Sequence, residues 1–115
     1  MTVNEAIKRA DALRPNTFEI EAKAACVIKL DRELAEMTGA ETPSYNWPQE
    51  DPELLMPAPH EDIYVLYLVC QIDLYNQETA LYANDAAVYG SALAEAKAWW
   101  RRRNRAEDKG AVRVL

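Results

Sequence analysis

Four prolines, Pro43, Pro48, Pro52 and Pro57, recur every four or five residues through the middle of the chain. Proline lacks a backbone N–H and its ring collides with the preceding helical turn, so this spacing excludes both a helix and a central strand over residues 40–58. Whatever the chain builds must be built around that connection. A loop this long inside a 115-residue chain needs anchoring. Tyr45, Trp47, Leu54, Leu55 and Met56 supply apolar side chains for it, so the segment reads as a strap pinned onto helices.

Upstream of the strap, apolar residues recur at helical spacing. Val3, Ala6, Ile7, Ala10 and Leu13 line one face of a first helix, and Thr2 with Glu5 forms a capping box at its start. Pro15 ends it, because the residue before proline is pushed out of the helical region. A second helix is expected to start after Asn16 or Thr17, both good N-caps. Its stripe is Ile20, Ala24, Val27, Leu30, Leu34 and Met37, closed by a left-handed Gly39. The two read as an antiparallel pair.

Helix is expected again from Pro59, which suits a first helical position. The stripe Val65, Leu68, Ile72, Tyr75, Thr79, Tyr82, Ala86, Tyr89, Leu93, Ala96 and Trp100 steps by three and four without a slip. It fits one bent helix of about 45 residues, or roughly 68 Å. It also fits two helices divided near Ala83–Asp85, where Asn84-Asp85 offers a stop and a new N-cap; we expect the division. A second stripe of Ile63, Tyr67, Cys70, Leu74 and Leu81 makes the third helix apolar on two sides, as befits a central element. Gly110–Leu115 is too short and mixed for a helix and reads as an arm. The expected fold is all-α with four helices, one domain over 1–109 and a C-terminal arm over 110–115. With only three glycines, a hairpin-rich β fold is disfavoured.

Composition narrows the function. Ile63 to Leu74, the best apolar stretch, is interrupted by Gln71 and Asp73, so no membrane span is expected. Met1 to Glu5 lacks the basic start and apolar run of a signal peptide, which leaves the chain in the cytoplasm where it is made. Cys26 and Cys70, the two cysteines, sit in apolar helical patterns and read as reduced, buried thiols. Charge is uneven: residues 97–115 carry seven basic and two acidic residues, a net +5, and residues 1–96 carry six and seventeen, a net −11. The body would repel a nucleic-acid backbone and only the tail could touch one.

No residue set here is equipped to catalyse a reaction. His60, the sole histidine, has no partner spacing for zinc or a triad and reads as a solvent-side residue at a helix start. Glu33 and Glu36 put two carboxylates on neighbouring turns, yet no second acidic pair follows to complete a carboxylate metal site. No phosphate-cradling glycine loop is present. Neither a cofactor nor a small-molecule substrate is expected. Asp73, Asn76 and Glu78 lie in or beside the apolar stretch, where a carboxylate must be paired. They read as a polar lock to a lysine such as Lys23 or Lys29, or to an arginine, or as a subunit contact. Trp99-Trp100-Arg101-Arg102-Arg103-Asn104-Arg105 combines stacking groups with phosphate-binding ones. Cations at a helix C-terminus are also stabilised by its dipole, so Arg101, Arg102, Arg103 and Arg105 are expected to contact DNA weakly at most.

The block Leu54-Leu55-Met56-Pro57-Ala58-Pro59-His60-Glu61-Asp62-Ile63-Tyr64, with Tyr67-Leu68, Gln71-Ile72-Asp73, Asn76, Glu78 and Tyr82, resembles a family of small proteins from phages and prophages of Gram-positive gut bacteria. Pro15-Asn16, Glu21, Lys23, Leu30-Asp31 and the tryptophan- and arginine-bearing last helix fit the same pattern. His60 stands where the family has tyrosine, and Ala83 where it has asparagine. The resemblance implies a virion-morphogenesis protein, by analogy a small helical connector that extends a portal ring toward the tail. It implies no catalytic residue. The expected partners are copies of itself in a ring and neighbouring phage portal or tail proteins, first in the host cytoplasm and then in the virion. Val112, Val114 and Leu115 could serve as an intersubunit arm. The rival expectation is a helical module that binds a bacterial protein.

Overall fold

The computed structural model describes the backbone of residues 1–114 and the side chains of residues 1–103. Its elements are α1 (Val3–Leu13), α2 (Ile20–Thr38), α3 (Asp62–Tyr75) and α4 (Thr79–Val114). The architecture is all-α: among the described residues the extended pairing is limited to one isolated bridge between Thr2 and Glu53.

Helix α1 begins as its capping residues require. The Glu5 N–H donates to Thr2 Oγ1 at 3.2 Å, and the Thr2 hydroxyl donates to the Glu5 carboxylate at 3.4 Å. Val3, Ala6, Ile7 and Ala10 are buried, but Leu13 is exposed, since Pro15 turns the chain away there. Helix α2 starts two or three residues later than expected, with Glu19 as N-cap. Asn16 is used differently: its Oδ1 accepts the Phe18 N–H at 3.0 Å and closes a side-chain turn. Ala24, Val27, Leu30, Leu34 and Ala35 are buried, while Ile20 and Met37 at the two helix ends are exposed. Gly39 ends α2 at φ 72°, where only glycine avoids the steric cost of a left-handed residue.

Residues 39–61 contain no helix. Pro52, Leu54 and Met56 are buried and Trp47 and Leu55 pack against the core. The Val3 N–H donates to Pro52 O at 3.1 Å and the Leu54 N–H to Met1 O at 2.9 Å. Met1 is buried, its ammonium 3.1 Å from both Glu53 and Glu61. The Trp47–Pro48 and Ala58–Pro59 peptides are cis. Pro59 lies in the turn before α3, which opens at Asp62 rather than at the proline.

Helix α3 is central. It packs against α1, α2 and α4, and Ile63, Tyr64, Val65, Leu68, Val69, Cys70 and Ile72 are buried around its circumference. A helix apolar on all sides is stable only when neighbours cover it. Leu74 and Tyr75, at its final turn, are exposed.

The division after α3 falls at Asn76–Glu78, not at Ala83–Asp85. The Gln77 N–H donates to Leu74 O at 3.1 Å and the Glu78 N–H to Asp73 O at 2.9 Å, with Gln77 left-handed at φ 58°. Those paired bonds are a Schellman cap. Glu78 then opens the next helix, its carbonyl accepting the Tyr82 N–H at 2.9 Å. Asn84-Asp85 does not interrupt α4.

Helix α4 runs 36 residues, about 54 Å at ~1.5 Å per residue, and sets the long axis of a body measuring 56 × 34 × 19 Å. Ala96 is its one buried apolar residue among those described. Tyr89, Ala92, Leu93, Trp99 and Trp100 pack half-buried against the core. Its helical backbone continues through residues 110–114, where an extended arm was expected. Helix propagation gains one hydrogen bond per residue, and one glycine, Gly110, costs only about 1 kcal/mol against it. The contacts expected of Val112, Val114 and Leu115 lie outside the described side chains.

Leu68 is fully buried on the central helix, so Leu68→Ala should cost about 2–5 kcal/mol in urea unfolding. The opposite sign is expected at the corner. Gln77→Gly relieves a left-handed residue and should stabilise the fold by about 0.5–1 kcal/mol.

Candidate functional site

Two buried carboxylates and one buried lysine organise the interior polar chemistry. Asp31 is completely buried on α2, with no cation within salt-bridge distance among the described residues. Its Oδ1 accepts the Tyr64 hydroxyl at 2.5 Å and the Leu55 N–H at 3.0 Å, and its Oδ2 accepts the Tyr45 hydroxyl. Tyr64 Oη in turn accepts the Met56 N–H at 2.8 Å. The carboxylate is thus solvated by donors from α3 and from the connecting segment in place of water. Both tyrosines are held well above the ordinary phenol range, by burial first and by the Asp31 charge next. They stay protonated and keep donating. The Arg32 guanidinium lies 5.1 Å over the Tyr45 ring, a cation on the outer face of the same group.

The second carboxylate, Asp73, is fully buried in the last turn of α3. Arg14, just past α1, spans two acids: its Nε donates to Asp73 Oδ1 at 3.2 Å and its Nη2 to Asp85 Oδ2 at 2.8 Å. The partner is therefore an arginine, and neither Lys23 nor Lys29 takes part. Asn76 donates its amide to Pro15 O at 3.3 Å, and Phe18 stacks on Tyr75 with ring centroids 4.7 Å apart. The turn after α1 is thereby tied to the end of α3. Glu78 has an exposed side chain and contributes through its backbone.

Lys23 serves a third lock. Its Nζ donates to Asp11 Oδ1 at 2.7 Å and to Asn16 Oδ1 at 3.1 Å, while Asn16 Nδ2 donates to Asp11 at 2.9 Å. Lys23, expected as a partner for Asp73, pairs with Asp11 instead, and Asp31 is a site residue that the sequence reading does not single out, although the spacing of both carries a signal. Lys23 lies three residues after Ile20 and four before Val27, and Asp31 lies four after Val27 and three before Leu34, so both fall at helical spacing within the apolar stripe. A charge on that stripe must find a partner.

The tryptophan–arginine stretch is engaged with its own chain. Trp99 packs on His60 at 5.1 Å, which draws His60 out of solvent, and the Arg103 guanidinium lies 5.4 Å over the Trp99 ring. Trp100 Nε1 is buried without a hydrogen-bond partner. Arg101 donates to Lys97 O at 3.3 Å, and Arg101, Arg102 and Arg103 are exposed. Because α4 continues to Val114, these arginines do not stand at its C-terminus. The dipole account of them fails, since that effect is confined to the last turn. The side chain of Arg105 lies outside the described residues.

Among the described residues, no three His, Cys, Asp or Glu side chains converge in a metal-binding group. Glu33 and Glu36 are both exposed. Cys26 and Cys70 are free, and burial raises both thiols, Cys70 to about 11. No described helix is long and apolar enough to cross a membrane. An open groove of about 450 Å³ between α1 and α3 is lined by Arg9, Ala12, Leu13, Asp62, Val65 and Leu66.

Among the described residues, α4 carries exposed apolar side chains on a nearly uncharged stretch. From Thr79 through Ala94 its sole charged side chain is Asp85, whereas 28% of the whole chain is charged. Leu81 is 40% and Val88 47% exposed on that stretch, with Leu74 50% exposed just before it. Gly90 has nothing within 4 Å of where a Cβ would stand, so packing within the chain does not require glycine there.

Comparison with protein-family models, with curated proteins and with solved structures finds no match.

The Asp31 network should be unequal in its parts. Tyr64→Phe removes a bond to a buried charge and strands the Met56 N–H, and should cost about 2–4 kcal/mol in chemical denaturation. Tyr45→Phe, at a half-exposed position where water can replace the hydroxyl, should cost under about 1.5 kcal/mol.

Proposed function

We propose that this protein is a non-enzymatic structural subunit of a tailed phage or prophage, a head–tail connector or head-completion protein that works as an oligomeric ring. The observation that carries the reading is α4. A 36-residue helix with an uncharged outward stretch and exposed Leu81 and Val88 exceeds what one 13.0 kDa body needs for its own core. A leucine and a valine exposed two turns apart on so weakly charged a helix support a contact with another protein. The acidic body supports the same reading, because a subunit around a DNA passage gains from not gripping phosphate. The resemblance of the stretch from Pro15 to Arg105 to small phage proteins points in the same direction.

In this reading residues 40–58 are a strap that closes the helical body, supported by the burial of Leu54 and Met56 and the bonds to Asp31. Its partners would be copies of itself and the adjoining portal or tail proteins, in the host cytoplasm during assembly and in the virion afterwards. DNA contact would be limited to the exposed arginines of α4.

One feature favours the rival reading, a helical module that binds a bacterial partner. The groove between α1 and α3 is apolar at its floor, with Arg9 and Asp62 on its rim 3.8 Å apart, and could seat a side chain of another protein.

Light scattering on the purified protein and the protein composition of purified virions test the proposal together. The wild type should be oligomeric and present in virions. The double variant Leu81→Glu/Val88→Glu alters exposed positions, so its helix content and melt should stay within about 0.5 kcal/mol of wild type while it becomes monomeric. A wild type that is monomeric at all concentrations and missing from virions would refute the connector reading and favour the binding module.

A further inference from the structure

Asp73 and Asp85 come from opposite sides of the α3–α4 corner and meet on one edge of a single guanidinium. Arg14 Nε reaches Asp73 at 3.2 Å and Arg14 Nη2 reaches Asp85 at 2.8 Å. Two acids held on adjacent donors of one fork stand within reach of each other. Three features set this cluster apart from an ordinary ion pair. One cation faces two acids, Asp73 is fully buried, and its second oxygen, Oδ2, has no hydrogen-bond partner. A buried carboxylate oxygen left bare is expensive, whereas a carboxyl proton placed there turns repulsion between the two acids into a hydrogen bond. Between the two acids in sequence lies the Asn76–Glu78 corner, closed by two backbone bonds, one of them to the carbonyl of Asp73 itself.

We infer that Asp73 and Asp85 form a proton-operated latch across the α3–α4 corner, closed when the two carboxyls share one proton beside Arg14 and loosened when that proton leaves.

The groups facing the pair are few. Arg14 approaches from the segment after α1, Cys70 from α3 and Asn84 from α4. The Cys70 thiol is pushed up to about 11 by burial and by the two carboxyls, so it adds no charge near neutrality. Burial, followed by the neighbouring Asp85, raises Asp73 to about 6. Asp85 is lowered, first by its neighbour Asp73 and also by Arg14. In the latch the proton sits on Asp73, the more deeply buried of the two acids. A raised carboxyl stabilises the closed state fully below its unfolded value, near 4, and that contribution is lost as pH rises through about 6. Asp85 has the opposite sign, and its contribution is already complete above about 4. Between pH 5 and pH 8 the latch is read through Asp73 alone.

The test is amide hydrogen exchange on the full-length chain at Gln77, Glu78 and Tyr82, corrected for the intrinsic pH dependence of exchange. It is paired with a carbon-13 titration of the aspartate carboxyls by NMR. The wild type should lose about tenfold in protection between pH 5 and pH 8, and Asp73 should titrate near 6 with a matching change at Asp85. Asp73→Asn keeps a neutral hydrogen-bonding group at that position and should flatten the protection profile over the same range. A wild-type Asp73 midpoint below 5, unchanged protection across the titration, or an Asp73→Asn profile like the wild type's would overturn the latch. Should Asp73→Asn fail to fold, the carboxyl titration and the wild-type protection profile still decide the question.

Discussion

The buried carboxylate of Asp31 is the constraint on which the arrangement of the chain depends. It sits in the middle of α2, with no cation within salt-bridge distance among the described residues, and its hydrogen-bond donors come from α3 and from the 39–61 connection. A charge in that position is tolerable only if all three donors arrive together. That demand fixes the rotation of α3, through Tyr64, and the path of the connection, through Tyr45 and Leu55, relative to α2. Apolar burial of Leu54 and Met56 would hold the connection against the helices in several registers. The aspartate admits one. The same segment then pairs with the chain's start through Pro52 and Leu54, so α1 inherits its position from the same arrangement.

A comparable logic operates at the other end of the body with charge instead of neutral donors. Arg14, Asp73 and Asp85 join α1, α3 and α4 at a point where apolar packing is thin, because Leu13, Leu74 and Tyr75 all face outward there. Lys23, Asp11 and Asn16 brace the adjoining turn. Polar networks of this kind add little net stability over an apolar core of the same volume. They hold short, sharply turned segments that have few methyl groups to bury.

Much of this was legible beforehand where physics is periodic. The first helix matched its capping box and its proline, and Gly39 closed α2 in the left-handed conformation that its position suggested. Asp73 stood out because a charge interrupts an apolar run. The corner at Asn76–Glu78 gave no such warning: the stripe through Ile72, Tyr75, Thr79 and Tyr82 keeps its phase across it, and glutamine is not a usual left-handed residue. Asn84-Asp85 resembled a helix stop because it is polar, and Asp85 is polar because it answers Arg14 from within a continuous helix. Asp31 was hidden by the neighbouring leucines, which account for the stripe without it. The contacts that hold Asp31, Asp73 and Asp85 span 14 to 71 residues of sequence, beyond the reach of local helical periodicity.

The length of α4 has a consequence for how the molecule moves through solvent. A compact chain of this size would have a radius of gyration of about 13 Å, against 15.7 Å here, because one helix sets the long dimension while the body beside it is thin. A single copy therefore drags more water than its mass implies and would leave a sizing column early, imitating a heavier sphere. Elution position alone would overstate the number of copies in any particle this chain forms. Mass has to be read by a method indifferent to shape.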